Sequence, residues 1–298
     1  MLNKIKNLLG VFIPILILAG FGFILKTNLR LLTFNLKAFS PAANPSLAPL
    51  PLVAPSPSPP PSPSPTAKPL TFAEMNAFYG PCVYAPTLMY HHIEDLDTAN
   101  TQGHGYLAVD PNTFRGQMQY LRDQGYTPAK MQDLLNFFDQ GIPMPGKSVL
   151  ITFDDAYQDL GTNAFPILQE FGFPSTVFAP TGLMENAGYL SWGTIQGNSG
   201  SVLFANHTWS HHSAYSDAAT FAKEVTLAGQ QLTEHGVGNP KIFAYPYGST
   251  NGQAENILVQ NGYTVAFTTV YGGTLCKQQR LFLPRIRVGN ASLNQYGL

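Results

Sequence analysis

Apolar and polar positions change their spacing in regular blocks along most of this chain. Pro86-Thr87-Leu88-Met89-Tyr90 predicts a strand. Pro111-Asn112-Thr113-Phe114 opens a helix in which Phe114, Met118 and Leu121 recur at helical spacing, and Gly125 ends it. Met131, Leu134, Leu135 and Phe138 mark a second amphipathic helix, ending at Gly141. Residues 148–153 form an apolar run too dense to be half exposed, which predicts a buried parallel strand. A helix over 160–171 follows, with Phe165, Leu168 and Phe171 on its inner face. Strands are predicted over 175–178, 202–205, 242–245 and 264–267, with helices over 218–235 and 253–261 between them. No repeat is visible. Such alternation argues for an α/β fold with a parallel sheet or barrel.

The N-terminal stretch follows a different rule. Leu8 to Leu25 is an unbroken run of apolar and small residues, with Lys4 and Lys6 before it and Lys26 after it. Roughly 18 to 20 such residues suffice to cross a bilayer as a helix, whereas a cleavable signal has a shorter core of about 7 to 15 with a small-residue cleavage site behind it. Lys26-Thr27-Asn28-Leu29-Arg30 stands there instead, so residues 1–40 are expected to be a transmembrane signal anchor. Residues 41–70 are dominated by Pro, Ser and Ala and include Pro55-Ser56-Pro57-Ser58-Pro59-Pro60-Pro61. This linker is expected to be disordered and extended, a semi-rigid polyproline spacer of roughly 75 Å at about 3.1 Å per residue. Residues 71–298 form the folded domain. Anchor and spacer together predict a single-pass membrane protein whose domain is held outside the cytoplasm.

Composition excludes one class of partner. Charged residues make up 11% of the chain and the net charge is −1, against about 25% charged in an average domain. No basic stripe exists to track phosphates, so no nucleic acid partner is expected, and no obligate protein partner is evident. Cys82 stands at the start of the folded part and Cys276 near its end. An extracytoplasmic location permits a disulfide between them, with two buried free thiols as the alternative.

Polar clusters fall at the C-terminal ends of the predicted strands. His91-His92 follows Tyr90, Asp154-Asp155 follows Phe153, His207 follows Ala205, and Tyr247-Gly248 follows Tyr245. In parallel α/β folds that edge is where active sites form. Asp155 with His207 and His211 makes a one-oxygen, two-nitrogen set suited to a catalytic divalent cation, which takes three protein ligands and leaves a position for water. Asp154 remains as a base for that water. His91 is the candidate acid, and the Tyr247 N–H the candidate donor to a developing oxyanion. His104, His212 and His235 have no matched partner and read as structural or solvent-exposed.

Thr152-Phe153-Asp154-Asp155, His207-Thr208-Trp209-Ser210-His211 and Phe243-Ala244-Tyr245-Pro246-Tyr247-Gly248 resemble the first three motifs of the polysaccharide deacetylases, the NodB-homology carbohydrate esterases. The resemblance covers roughly residues 83–290. It implies a distorted (β/α) barrel of about seven parallel strands and metal-dependent removal of acetyl groups from sugars. By position, Asp154 resembles the catalytic base, Asp155, His207 and His211 the metal ligands, and Tyr247 the oxyanion donor. Many members carry Arg where this chain has Ala244; Arg285, in Leu283-Pro284-Arg285-Ile286-Arg287, is the candidate replacement. A late Leu-x-His motif is missing, while Leu88-Met89-Tyr90-His91-His92-Ile93 resembles the opening motif of the branch acting on poly-N-acetylglucosamine, which supports His91 as the acid. Trp192 resembles the family's aromatic groove residue, and Trp209 is a second candidate wall for a sugar.

The function expected on this basis is hydrolysis of N-acetyl groups on an N-acetylglucosamine-containing polysaccharide, with Zn2+, or Co2+ in its place, as the metal. An O-acetyl esterase of the xylan type and a non-catalytic carbohydrate-binding wall protein are the alternatives.

Overall fold

The computed structural model describes residues 68–298. The expected anchor, and the linker up to residue 67, lie outside the described residues. Among the described residues no helix is long and apolar enough to cross a membrane.

Seven parallel strands close into a barrel: β1 (Thr87–Tyr90), β2 (Ser148–Asp154), β3 (Ser175–Ala179), β4 (Val202–Asn206), β5 (Ile242–Ala244), β6 (Val265–Tyr271) and β7 (Leu283–Arg287). They stand around the barrel in sequence order. The seam is closed by β1, which pairs with β2 through Leu88 opposite Ile151 and with β7 through Leu88 opposite Ile286. This is the barrel architecture expected from the chain.

The strands form where β-branched and aromatic residues alternate between two apolar surroundings. On β2, Val149, Ile151 and Phe153 join the outer core beneath the helices, while Leu150 joins the inner one. Thr152 and Asp154 share the inward register with Leu150, so the strand carries its polar groups into the mouth of the barrel. On β7, Leu283 packs inside and Ile286 outside, which sends Arg285 inward as well.

Helices Pro111–Asp123, Met131–Gln140, Phe165–Phe171, Ala218–Glu234 and Gly252–Gln260 cover the barrel. Their ends follow local chemistry. Asp110 and Asp217 cap the N-termini of the first and fourth of these helices through side-chain oxygens. Gly141 and Gly172 end the second and third in the left-handed region, at φ 69° and 68°. The helix expected over 160–171 begins instead as a π turn, Leu160–Ala164. Pro166 lies just beyond that turn; it has no N–H to offer and crowds the carbonyl four residues back.

Among the elements not legible in the pattern are helices Phe72–Tyr79, Leu96–Thr101 and Trp192–Asn198, and strand β7. The last reads Leu-Pro-Arg-Ile-Arg, with a proline and two charges where a buried strand is ordinarily apolar. Outside the barrel, Cys82–Tyr84 pairs antiparallel with Thr274–Cys276, placing Cys82 opposite Cys276, and the two are joined by a disulfide.

Candidate active site

The strand ends deliver the site. Asp154 is the last residue of β2, and the chain then turns sharply through Asp155 (φ 69°) and Ala156 (φ 54°). Beyond β4, His207 enters the barrel mouth and the loop passes through Thr208 (φ 66°) and His211 (φ 61°), while Tyr247 beyond β5 also has φ 61°. Among the described residues eight non-glycine positions have positive φ, and five of them are in these three loops. Backbone held in such conformations persists only where its surroundings enforce it.

Those surroundings are visible around His207 and His211. Asn206 donates to the Val225 carbonyl (2.9 Å) and accepts from Thr208 N–H (2.8 Å). Thr208 Oγ1 accepts from His212 N–H (3.0 Å). Glu224, on the inner face of helix Ala218–Glu234, accepts from Ser210 N–H (2.6 Å) and from Ser210 Oγ (2.8 Å). Sequence reasoning passed over Glu224, although a signal existed: it lies on the same stripe as Phe221, Val225 and Ala228, where a carboxylate is out of place unless it has work to do.

Asp155, His207 and His211 meet. Asp155 Oδ1 lies 3.1 Å from His211 Nε2 and 3.5 Å from His207 Nε2. It is buried and has no hydrogen bond of acceptable geometry. An orphaned buried carboxylate oxygen flanked by two imidazole nitrogens fits a divalent cation, because the ion supplies what no donor does. The Ala244 carbonyl, 2.7 Å from His207 Nδ1, accepts a hydrogen bond from it, which leaves the Nε2 lone pair facing Asp155. In the metal-free site burial raises the Asp155 carboxyl, but the two histidines outweigh it and hold the group well below the usual range.

Asp154 is fixed differently. Arg285 donates from both terminal nitrogens to its two oxygens, each at 2.7 Å. The guanidinium is fully buried and also donates to the Thr268 carbonyl (2.9 Å) and Thr152 Oγ1 (3.3 Å). Burial pushes Asp154 up, and the Arg285 charge and hydrogen bonds together with the nearby His207 and His91 outweigh it, so the net shift is downward. Arg285 thus brings a guanidinium to Asp154, and Ala244 is itself buried.

His91 sits at the end of β1, buried, within the field of Asp154 and Asp155. Burial pushes its imidazole down to about 4, with the two carboxylates pulling the other way. The Tyr247 ring stands edge-on to His211, centroids 4.7 Å apart, and is mostly exposed. Trp209 is exposed on the loop between His207 and His211, its indole against Gly182, where a Cβ would stand 2.4 Å from Nε1. Trp192 is placed elsewhere: its indole stacks on His235 (3.8 Å, 3°) and packs on the outer core, so the structure does not bring it to the other predicted residues. Tyr157, not foreseen, lies beside Asp155; burial and the Asp155 carboxylate raise its phenol, which keeps it a hydrogen-bond donor.

Comparison with known proteins agrees with this geometry. Residues 141–266 match the polysaccharide deacetylase family, a segment that contains Asp154, Asp155, His207, His211 and Tyr247 but not His91 or Arg285. The poly-β-1,6-N-acetyl-D-glucosamine N-deacetylase of Escherichia coli K12 is 28% identical over 249 residues, covering 68% of this chain and 36% of that protein. The chain therefore spans about a third of the length of that relative. The Staphylococcus epidermidis enzyme of the same name is 23% identical, covering 69% of this chain and 79% of its own. Among solved structures, the Streptococcus pyogenes deacetylase PplD in complex with acetate superposes with a TM-score of 0.67 at 27% identity, covering 72% of this chain and 98% of that one. IcaB from Ammonifex degensii shares the fold, with a TM-score of 0.61 at 24% identity, over 72% and 94% of the two chains. Residues 141–266 thus match the polysaccharide deacetylase family, and about two thirds of the chain is similar to poly-β-1,6-N-acetyl-D-glucosamine N-deacetylases.

Proposed function

We propose that this chain removes N-acetyl groups from an N-acetylglucosamine-containing polysaccharide by metal-dependent amide hydrolysis, releasing acetate and leaving a free amine. The observation that carries the reading is the pairing of two adjacent carboxylates with different partners. Asp155 Oδ1 is left to two imidazoles, while Asp154 is held ionised by Arg285. A divalent cation held by Asp155, His207 and His211, zinc or cobalt by the character of those donors, supplies Lewis acidity to an acyl oxygen and to water.

The chain's own groups do the rest. Asp154 accepts the proton of the attacking water; Arg285 keeps its two oxygens oriented and its charge in place. The Tyr247 N–H steadies the oxyanion that develops as water adds. His91 delivers a proton to the departing nitrogen. It rests as a neutral imidazole at neutral pH; the proton it delivers is taken up from solvent as negative charge develops opposite it, and the proton on Asp154 returns to solvent as acetate leaves. Trp209 offers an exposed aromatic face to a pyranose ring.

The names of the relatives support an amide substrate over the O-acetyl ester alternative. The complete ligand set and the paired Asp154 disfavour a decayed carbohydrate-binding site. The Cys82–Cys276 disulfide supports an extracytoplasmic location, in keeping with a membrane anchor at residues 1–40. Acetate release from poly-β-1,6-N-acetylglucosamine, chitooligosaccharides and acetylated xylan, each with and without chelator, tests the proposal. Chelator-sensitive release from the amide substrates is expected. Release from xylan alone, or none from any of the three, would overturn it.

A further inference from the structure

A second group of ligating side chains lies beside the active site and is not used by the reaction. His92 follows the candidate acid directly; Glu94 comes two residues later, His104 follows helix Leu96–Thr101, and Asp159 precedes the π turn. Glu94 Oε1 lies 3.3 Å from His92 Nδ1 and in contact with His104 Nε2. This repeats the donor pattern of the metal triad, where one carboxylate oxygen is likewise flanked by two imidazole nitrogens.

Asp159 brings a second carboxylate, with Oδ2 2.6 Å from His92 Nδ1 and Oδ1 accepting from Ile93 N–H at 2.8 Å. Asp159 Oδ2 takes the nearer place on His92 Nδ1, and Glu94 Oε1 takes that on His104 Nε2. His92 Nδ1 carries at most one hydrogen, yet two carboxylate oxygens approach it. The rings are also pre-placed: His92 is sandwiched between Tyr157 (centroids 3.6 Å, 15°) and His104 (4.1 Å, 16°). Tyr157 closes the inner side, while His104, 22% exposed, leaves a route in from solvent.

We propose that His92, Glu94, His104 and Asp159 form a second cation site, distinct from the Asp155–His207–His211 triad. Two imidazoles with two carboxylates select a zinc-type transition cation over calcium or magnesium, which prefer all-oxygen shells. Three donor atoms converge in each group, those of His92, Glu94 and His104 here and those of Asp155, His207 and His211 in the triad, and Asp159 reaches this one through His92. An ion here ties the end of the first strand segment to the following loop and to the π turn, beside His91.

The test is metal stoichiometry on the untagged full chain, stripped with chelator, reloaded with Zn2+ and measured by mass spectrometry of the metal and by titration calorimetry. The wild type is expected to hold two zinc ions, and E94Q, H104Q and H211Q one each. The combined H104Q and H211Q chain should hold none. Zinc should also raise the unfolding temperature of H211Q, which keeps only the second site, and not that of the combined variant; circular dichroism checks that each variant folds. A wild type that holds one ion, lost in H211Q and retained in both E94Q and H104Q, overturns the proposal and leaves the catalytic triad standing. One ion lost in H104Q and retained in H211Q supports this site and removes the triad instead.

Discussion

Asp154 and Arg285 lie 131 residues apart in sequence and meet inside the barrel mouth through two parallel bonds of 2.7 Å. The pair joins β2 to β7, one on either side of β1 at the closing seam, so the same contact that fixes the proposed base also braces the barrel. Removing one member of such a buried pair leaves the other charge uncompensated, at a typical cost of about 3–5 kcal/mol. Arg285→Met is therefore expected to lower the unfolding free energy by that order in denaturant titration. Arg285→Lys keeps the charge but cannot make both parallel bonds, and should fall between Arg285→Met and the wild type.

Asp154→Asn removes the proposed base without touching the metal ligands. Metal content should stay at the wild-type level while kcat falls by roughly 10²–10⁴. Undiminished turnover with full metal occupancy would show that another group accepts the proton.

His207→Ala should act in the opposite order, losing metal first and activity as a consequence. Its Nε2 faces Asp155 because the Ala244 carbonyl fixes the other nitrogen. Metal analysis after dialysis, followed by assay with excess zinc, separates lost affinity from lost chemistry.

Glu224→Gln tests the loop that carries His211. The amide cannot accept from Ser210 N–H and Ser210 Oγ through both ends as the carboxylate does. Metal affinity is expected to fall about 10–100-fold, the usual effect of disturbing a group that orients a ligand, with the far-ultraviolet spectrum unchanged. Unaltered affinity would mean that the strained backbone at Thr208 and His211 holds its shape alone.

Acid should destabilise the metal-free protein in two windows. The His91 pKa is pushed by burial from 6.5 to about 4, so the unfolded chain binds more protons between those values. Stability is then lost as pH falls from about 6.5 towards 4, by roughly 3 kcal/mol at most, at about 1.4 kcal/mol per unit. Asp154 works below that range: its carboxyl is lowered from 3.8, so its contribution is present above that value and lost as pH falls through the folded pKa. His91→Gln should flatten the upper window in denaturant titrations at a series of pH values and leave the lower one in place.

The order of strands and helices, the two aspartates at the end of an apolar run and the paired histidines were all legible along the chain. Each is a local property: spacing sets the element, and the residue after a strand lands at the barrel mouth. The structure brings Asp155 together with His207 and His211, because the ends of β2 and β4 share one rim of the parallel barrel. β7 could not be read, since its proline and arginines contradict the pattern of a buried strand until Asp154 is seen opposite Arg285. Trp192 could not be placed either: whether an indole faces a groove or stacks on His235 depends on a helix end more than forty residues away in sequence. The sequence by itself determined the class of fold and the kinds of ligand available. Only the tertiary structure decided which charges are neutralised and by what, because desolvation and pairing depend on neighbours that the barrel, not the chain order, brings together.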